Sequence, residues 1–361
     1  MIELPADDVA RAFGHPVSSY DVAAIDPHLR IHSVTGGVYR IRTGDESLVV
    51  KVVRHGTDST PDQLWQSGSE ETHRNYWKRE WLAFDSGLLA SLPGQLRAPR
   101  PALTTQPSDD ECWIWMEDIG GRTGSALELK DYPRIAHALG TTQGAYASGD
   151  VRLPDQPWLA RNWLRGWVDV CAAFIDTIRD DNRWQDPRLA SLLPLRARVS
   201  DLWDRREELF AIADEPPLTV AHWDFWPMNV HVDDDVVAID WSQIGLSGIT
   251  HDLDQLTIDT VWMHIRPDES LDVLEDLILP AYLEGLRESG CEVDAEQLHR
   301  WYAAAAALRY AWLGGGQADL VEDAERVQFQ ERRFGRDITT ITATKARAMA
   351  HALTLGERAL N

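Results

Sequence analysis

Cysteine is scarce. The chain of 361 residues has three, Cys112, Cys171 and Cys291, far apart and never at a paired spacing. That excludes a disulfide framework and a cysteine-built metal site, and it fits reduced thiols in the cytoplasm. Long apolar runs are missing too, so no segment reads as a membrane span. The opening MIELPADDVARAF lacks the basic-then-apolar order of a secretory signal. Basic residues are outnumbered, 35 against 58 acidic, for a formal charge of −23. Such a balance disfavours nucleic acid and anionic membrane as partners. It suits a cationic substrate, although a solvated acidic surface needs no partner. No internal repeat and no low-complexity tract interrupts the chain.

What is present suits a globular protein of two lobes. The apolar fraction is 44%, enough for a core, and the length exceeds one typical domain. Sixteen tryptophans are expected mostly in packing, with some left to wall a ligand pocket.

Along the chain, residues 6–14 read as a short helix. The stretch IHSVTGGVYRIRT (31–43) predicts a hairpin with Gly36-Gly37 at its turn, and SLVVKVVR (47–54) a third strand after a turn at 44–46. Lys51 interrupts that apolar strand. Alternation puts it on the face of Val49 and Val53, where a lysine is costly unless paired. A loop at 55–71 precedes a helical pattern over 72–91, where Glu80 is the candidate partner of Lys51. The run CWIWM predicts a buried strand. The joint that follows, Glu117-Asp118-Ile119-Gly120-Gly121, suits a hinge whose backbone could meet an adenine edge. From residue 128 helical signatures dominate, over 130–148, 156–178, 187–213, 268–289, 294–313, 316–329 and 337–358.

The exception lies at 220–241, VAHWDFWPMNVHVDDDVVAIDW. It reads as a loop, a hairpin over Val230–Ile239, and Asp240 at the hairpin's far end. The fold-back returns Asp240 to Asp224 and Asn229. One carboxylate positioned to accept a hydroxyl proton, with an amide oxygen and a second carboxylate to hold magnesium, is the equipment of phosphoryl transfer. The spacing His-x-Asp-x-x-x-x-Asn is that of a kinase catalytic loop. A polar turn between core strands is the plainer reading of the same stretch.

Taken together, Gly36-Gly37, Lys51, KREWLAF, RAPRPAL, WIWMEDIGG, AHWDFWPMNV and AIDWSQIGLSG resemble, in order over roughly 31–260, the aminoglycoside phosphotransferase-like family of small-molecule kinases. The resemblance implies an α+β, bilobal protein-kinase-like fold. Residues 1–119 would form an antiparallel β-rich nucleotide-binding lobe, and 120–361 a mostly helical lobe with the catalytic loop, metal site and acceptor pocket. It implies a cytoplasmic enzyme that uses ATP or GTP with Mg2+ to phosphorylate a small hydroxylated molecule.

The implied roles fall on individual residues. Asp224 is the base or orienter of the acceptor hydroxyl. Asn229 and Asp240 hold the metal. Gly36, Gly37, Lys51, Glu80, Glu117 and Ile119 serve the nucleotide, and His222 holds the loop. Asp252 is expected to be structural, at a helix start. Asp254, Asp259, His264 and Trp226 are candidates for the acceptor. The chain departs from the family at Trp223, where a small residue is frequent, and at the bulky Trp226 and Met228.

The acidic charge favours an aminoglycoside, amino sugar or related amine. Neutral sugars, choline-like alcohols, homoserine and macrolides stay open, as do a resistance or a metabolic role and the oligomeric state. A non-catalytic nucleotide-binding module, or a metal-dependent hydrolase built on His222, Asp224 and His231, would be the alternatives. No Ala-Pro-Glu signature follows Asp240, which argues against a protein kinase.

Overall fold

The valine-rich run around Lys51 makes the central strand of a sheet that is buried on both faces. The structure, a computed structural model, describes residues 2–25, 34–55 and 67–361. Strands β1 (Asp21–Ala24), β2 (Thr35–Thr43), β3 (Glu46–Arg54), β5 (Pro101–Ser108) and β6 (Glu111–Glu117) form an antiparallel sheet in the order β1-β2-β3-β6-β5. Val50 and Val52 face outward and pack with Trp113, Trp115 and Val9 of helix α1 (Ala6–Phe13). Val49 and Val53 face the main core with Ile114, Met116 and Phe84 of helix α2 (Arg79–Asp85). Burial on both faces explains the continuous valine run, because a half-exposed strand would alternate. Lys51 shares the inner face, as alternation predicts.

Two expectations in this region are corrected. Gly36 and Gly37 do not turn a hairpin; both lie within β2, at a register irregularity between Thr35 and Gly37. The turn is at Gly44-Asp45, closed by the pair Thr43–Glu46, with Gly44 at φ 57. The glycine pair answers to crowding instead: a Cβ on Gly37 would lie 2.6 Å from the Tyr39 ring. Residues 31–33 and most of the 55–71 loop lie outside the described residues. The helix expected over 72–91 is confined to α2; Gly87, at φ 76, follows its end, and Leu89–Ser91 form only a 3-10 turn.

Strand β4 (Leu96–Arg97) leaves the first sheet. It joins β10 (Val236–Ala238), β9 (Val230–Val232) and β7 (Arg122–Thr123) in the order β4-β10-β9-β7. Leu96 and Arg97 pair in parallel with Val236 and Val237. Backbone bonds therefore cross the division expected at residues 119 and 120. A two-stranded ribbon, β8 (Leu218–Ala221) with β11 (Gly245–Gly248), flanks the catalytic stretch.

The rest is helical: α3 (Asp131–Ala147), α4 (Trp163–Arg179), α5 (Arg196–Asp204), α6 (Arg206–Ala213), α7 (Leu253–Trp262), α8 (Leu271–Glu288), α9 (Ala295–Tyr310), α10 (Gly314–Val321), α11 (Ala324–Phe334) and α12 (Ile338–Ala359). The helix expected over 187–213 is broken, because Pro187 and Pro194 start 3-10 turns and the chain kinks at Arg205. The one expected over 316–329 is split at Asp323, whose carboxylate caps the amides of Glu325 and Arg326 to begin α11. Helices α3 and α8 cross at backbone contact: a Cβ on Gly140 would sit 2.4 Å from the Tyr282 carbonyl oxygen, and one on Gly285 2.4 Å from that of His137. The class is α+β, an antiparallel sheet region followed by a helical region. All three cysteines are buried and free. Among the described residues no helix is long and apolar enough to cross a membrane.

Candidate active site

Lys51 is 7% exposed and meets two carboxylates. Its Nζ lies 2.6 Å from Glu80 Oε2 of α2 and 2.8 Å from Asp240 Oδ1. Burial works against the ammonium, but Asp240 and Glu80 outweigh it and hold its pKa above the ordinary lysine value. The other oxygen of Glu80 accepts the Trp241 amide at 3.2 Å. One carboxylate thus ties the sheet lysine to the residue after Asp240. Asp240 itself is left-handed at φ 60, ψ 63. This conformation costs an ordinary residue about 1–2 kcal/mol.

The hairpin β9–β10 returns the chain as its sequence demands. The Ile239 amide donates to the Asn229 carbonyl at 2.9 Å, which sets Asp240 beside Asn229. Asn229 Nδ2 donates to the Asp224 carbonyl at 3.0 Å and to Asp224 Oδ2 at 2.8 Å. Both partners are acceptors, so the amide orientation is fixed and Oδ1 is the atom available to a cation. Burial and then Asp240 push the Asp224 carboxyl up to about 7, against the pull of Asn229, Arg309 and Lys51. Both ring nitrogens of His222 are engaged by the backbone. Its Nδ1 accepts the Asp224 amide at 3.2 Å, so its Nε2–H donates to the Ile239 carbonyl at 2.9 Å. Burial lowers its pKa and keeps it neutral.

A magnesium ion suits this donor set. Asn229 Oδ1 and the Asp240 carboxylate are hard oxygen donors on adjacent backbone, and the carboxylates of Asp224, Asp240 and Glu80 leave the cluster short of positive charge.

Sequence reasoning missed what clamps the loop. Asp252 heads α7 but makes no side-chain cap to it. Its fully buried carboxylate accepts the backbone amides of His222 at 2.9 Å and Trp223 at 2.8 Å, and the Gln143 amide at 2.8 Å. Gln255 accepts the Phe225 amide at 2.9 Å. Arg309 of α9 donates to Asp254 Oδ2 and to the His251 carbonyl, each at 2.9 Å. Its guanidinium stands 4.9 Å from the Trp163 ring and 5.4 Å from that of Trp223. The one linear signal for Arg309 is a charge closing the alanine run of α9.

The remaining candidates divide. Asp254 is fully buried in its pair with Arg309 and presents nothing to an acceptor, contrary to expectation. Trp223 presents no face either. It is 2% exposed, left-handed at φ 64, and stacked on Trp163 at 5.1 Å. Trp226 is half-buried in the loop. Asp259 is partly exposed on α7 beside Tyr310 and Arg309, and burial, with Asp224 and Asp254 adding, pushes it up to about 8. His264 stacks on Phe334 at 4.5 Å, and the charges that act on it are Lys345, Arg336 and Asp268. At the joint, the Glu117 carboxylate is held by Arg97 at 2.8 Å and by the Arg100 amide at 3.1 Å. Ile119 is half-buried beyond β6. Gly37 and Val38 of β2 pair with Val52 and Lys51, so the glycine pair lies one rung from the lysine.

A comparison with curated protein sequences finds no match. Among solved structures, the chain is similar to a microcompartment-associated aminopropanol kinase, with TM-score 0.54 and 15% identity, covering 98% of this chain and 97% of that one. It is similar to choline kinase from Cryptosporidium parvum, with TM-score 0.54 and 14% identity over 95% and 92%. A third likeness is to a spectinomycin phosphotransferase in complex with ADP and spectinomycin, with TM-score 0.52 and 15% identity over 90% and 93%. At these identities the likeness is one of fold. The sequence profile of the phosphotransferase enzyme family known as APH matches residues 30–288, well over half the chain, and the protein belongs to that family.

Proposed function

We propose that this phosphotransferase uses Mg2+ and ATP or GTP to phosphorylate a hydroxyl of a small molecule that also carries an amine. The observation that carries the amine is Asp259. It is a partly exposed carboxylate near Asp224, and the cation that acts on it, Arg309, is already paired with Asp254. Such a wall lacks positive charge, and a bound ammonium would supply it and restore Asp259 to its ionised form. The fold neighbours named for aminopropanol, choline and spectinomycin agree with a hydroxylated amine.

In this reading Asp224 receives the acceptor's proton as the acceptor oxygen bonds to the terminal phosphorus and the bond to the nucleoside diphosphate breaks. The transition state is loose, so orientation by Asp224 matters more than full proton removal. Lys51, fixed by Glu80, neutralises nucleotide phosphates. Asn229 and Asp240 would hold magnesium, which supplies charge neutralisation across the phosphates.

The test is a phosphorylation screen with radiolabelled ATP and GTP across amino alcohols, aminoglycosides, amino sugars and neutral sugars. Turnover should concentrate among the amines. Asp259→Asn should raise KM for the cationic acceptor by about tenfold or more, as expected when a charge-assisted contact is lost, with KM for nucleotide unchanged. Turnover of uncharged sugars alone would sink the amine assignment.

A further inference from the structure

Positive charge is the scarce kind in this chain, yet it gathers around one buried lysine. Lys345 of α12 is 6% exposed. Its Nζ bonds Gln317 Oε1 of α10 at 3.2 Å, and among the described residues it forms no ion pair with a carboxylate. The charged groups that act on it are Arg333 and Arg326 of α11, both cations, and with burial as the larger cause they lower the ammonium to about 8. His264 and Arg336 stand in the same neighbourhood. Its acid, Asp268, lies 3.4 Å from Arg336. Two rings offer partial compensation: Nζ is 5.3 Å from the Trp262 centroid and 5.8 Å from that of Phe334. A buried ammonium whose side-chain hydrogen bond is to a neutral amide is costly, and a fold that needed only packing here would be served by methionine.

The position of this cluster ties it to the acceptor. Trp262 ends α7 one turn beyond Asp259. Its ring also meets that of Tyr310 at 6.3 Å, and Tyr310 is the neighbour of Asp259. One indole thus lies between the acidic wall and Lys345. Trp262 and Phe334, whose rings the lysine meets, and His264, stacked on Phe334, are all partly exposed.

We propose that the acceptor is zwitterionic, with its amine at Asp259 and an anionic group, a carboxylate or phosphate monoester, received across Trp262 by Lys345. This rests on the reading of Asp259 as the acceptor wall. The cationic end lowers affinity for acceptors that carry only positive charge, so it sets specificity as well as binding.

The experiment compares wild type with Lys345→Met in two arms. The first measures kcat/KM for amino alcohols paired with counterparts that carry a carboxylate or phosphate. Wild type should prefer the anionic member by tenfold or more. The variant should lose that preference through KM, keep kcat for the plain amino alcohol, and melt at the same or a higher temperature. The second arm follows the thermal shift by inorganic phosphate with the nucleotide site filled by Mg2+ and a non-hydrolysable ATP analogue. Phosphate should protect wild type more than the variant. No preference in the first arm together with equal protection in the second overturns the proposal. Protection without preference assigns the site to a free anion and overturns the acceptor part. A variant that melts lower makes Lys345 a packing residue and likewise overturns the proposal. If Asp259→Asn leaves amine turnover untouched while Lys345→Met abolishes phosphate protection, the amine reading fails and the anion site stands.

Discussion

Asp224, pushed up to about 7 by burial and Asp240, is divided between acid and carboxylate at neutral pH in the free protein. Only the carboxylate can accept a proton from the hydroxyl, so kcat/KM should rise with pH through about 7 and then level. Asp224→Asn should lower turnover by about 10²–10⁴-fold, the usual worth of a positioned base. It should also flatten that rise while nucleotide affinity persists. A steady-state pH series on both proteins checks this, and near-wild-type turnover by the variant would remove Asp224 from the role. At this scale the sequence is readable where a residue breaks its local pattern. Lys51 among valines demanded a carboxylate, and Glu80 provides it at 2.6 Å. Asp254 broke no pattern that would separate it from Asp259, five positions on. One is buried against Arg309 and the other is partly exposed because α7 turns between them. Arg309 comes from 55 positions beyond Asp254, and no spacing rule joins the two.

At the scale of elements, the catalytic loop hangs from the first turn of α7. Three N–H groups, from His222, Trp223 and Gln143, converge on the Asp252 carboxylate. An asparagine there would turn its amide hydrogens toward donors. Asp252→Asn should cost about 1–3 kcal/mol, the penalty of unmet buried groups, seen as a lower melting temperature. It should reduce kcat while KM for nucleotide holds, because Lys51 and Glu80 sit on β3 and α2, outside the loop that Asp252 clamps. Equal loss of both would make Asp252 a general stabiliser. The hairpin that brings Asp240 back was legible from two short apolar runs around an acidic turn. The position of Asp252 at a helix head was legible too, but not its use, since a cap and a long-range clamp carry the same residue signature. The broken helices at 187–213 show the other limit: periodicity continues through 3-10 turns that proline begins.

Over the whole molecule, three carboxyls, Asp254 at about 6, Asp224 at about 7 and Asp259 at about 8, titrate above the unfolded value of about 3.9. Through these groups the folded state binds more protons than the unfolded chain. Below the ordinary histidine value of about 6.5, His251 and His264, pushed down to about 4 by burial, act the other way, and above it they no longer oppose the carboxyls. The stability these groups contribute is present below about pH 4 and is lost as pH rises through about 8. The net charge of −23 acts in the same direction above neutrality. Melting temperature in the absence of nucleotide should fall between about pH 6.5 and 8.5, and Asp259→Asn should flatten the upper part of that fall. A scanning calorimetry series decides it, and a melting temperature that rises over this range would contradict the raised carboxyls. The α+β order, strands first and helices after, was readable from the change in hydrophobic period near residue 128. The pairing of β4 with β10 was not, because a two-residue strand has no period and its partner lies 140 positions away.

Helices α3 and α8 touch main chain to main chain at Gly140 and Gly285, and one turn further along α3 stands Gln143. Gln143 accepts the Tyr282 hydroxyl of α8 at 2.5 Å and hands its amide to Asp252. The closeness of two backbones thus sets the height at which the catalytic loop is hung. To a geneticist scoring activity alone, Gly140 would pass for an active-site residue: a single methyl there wedges the helices apart, and Asp224 drifts with them.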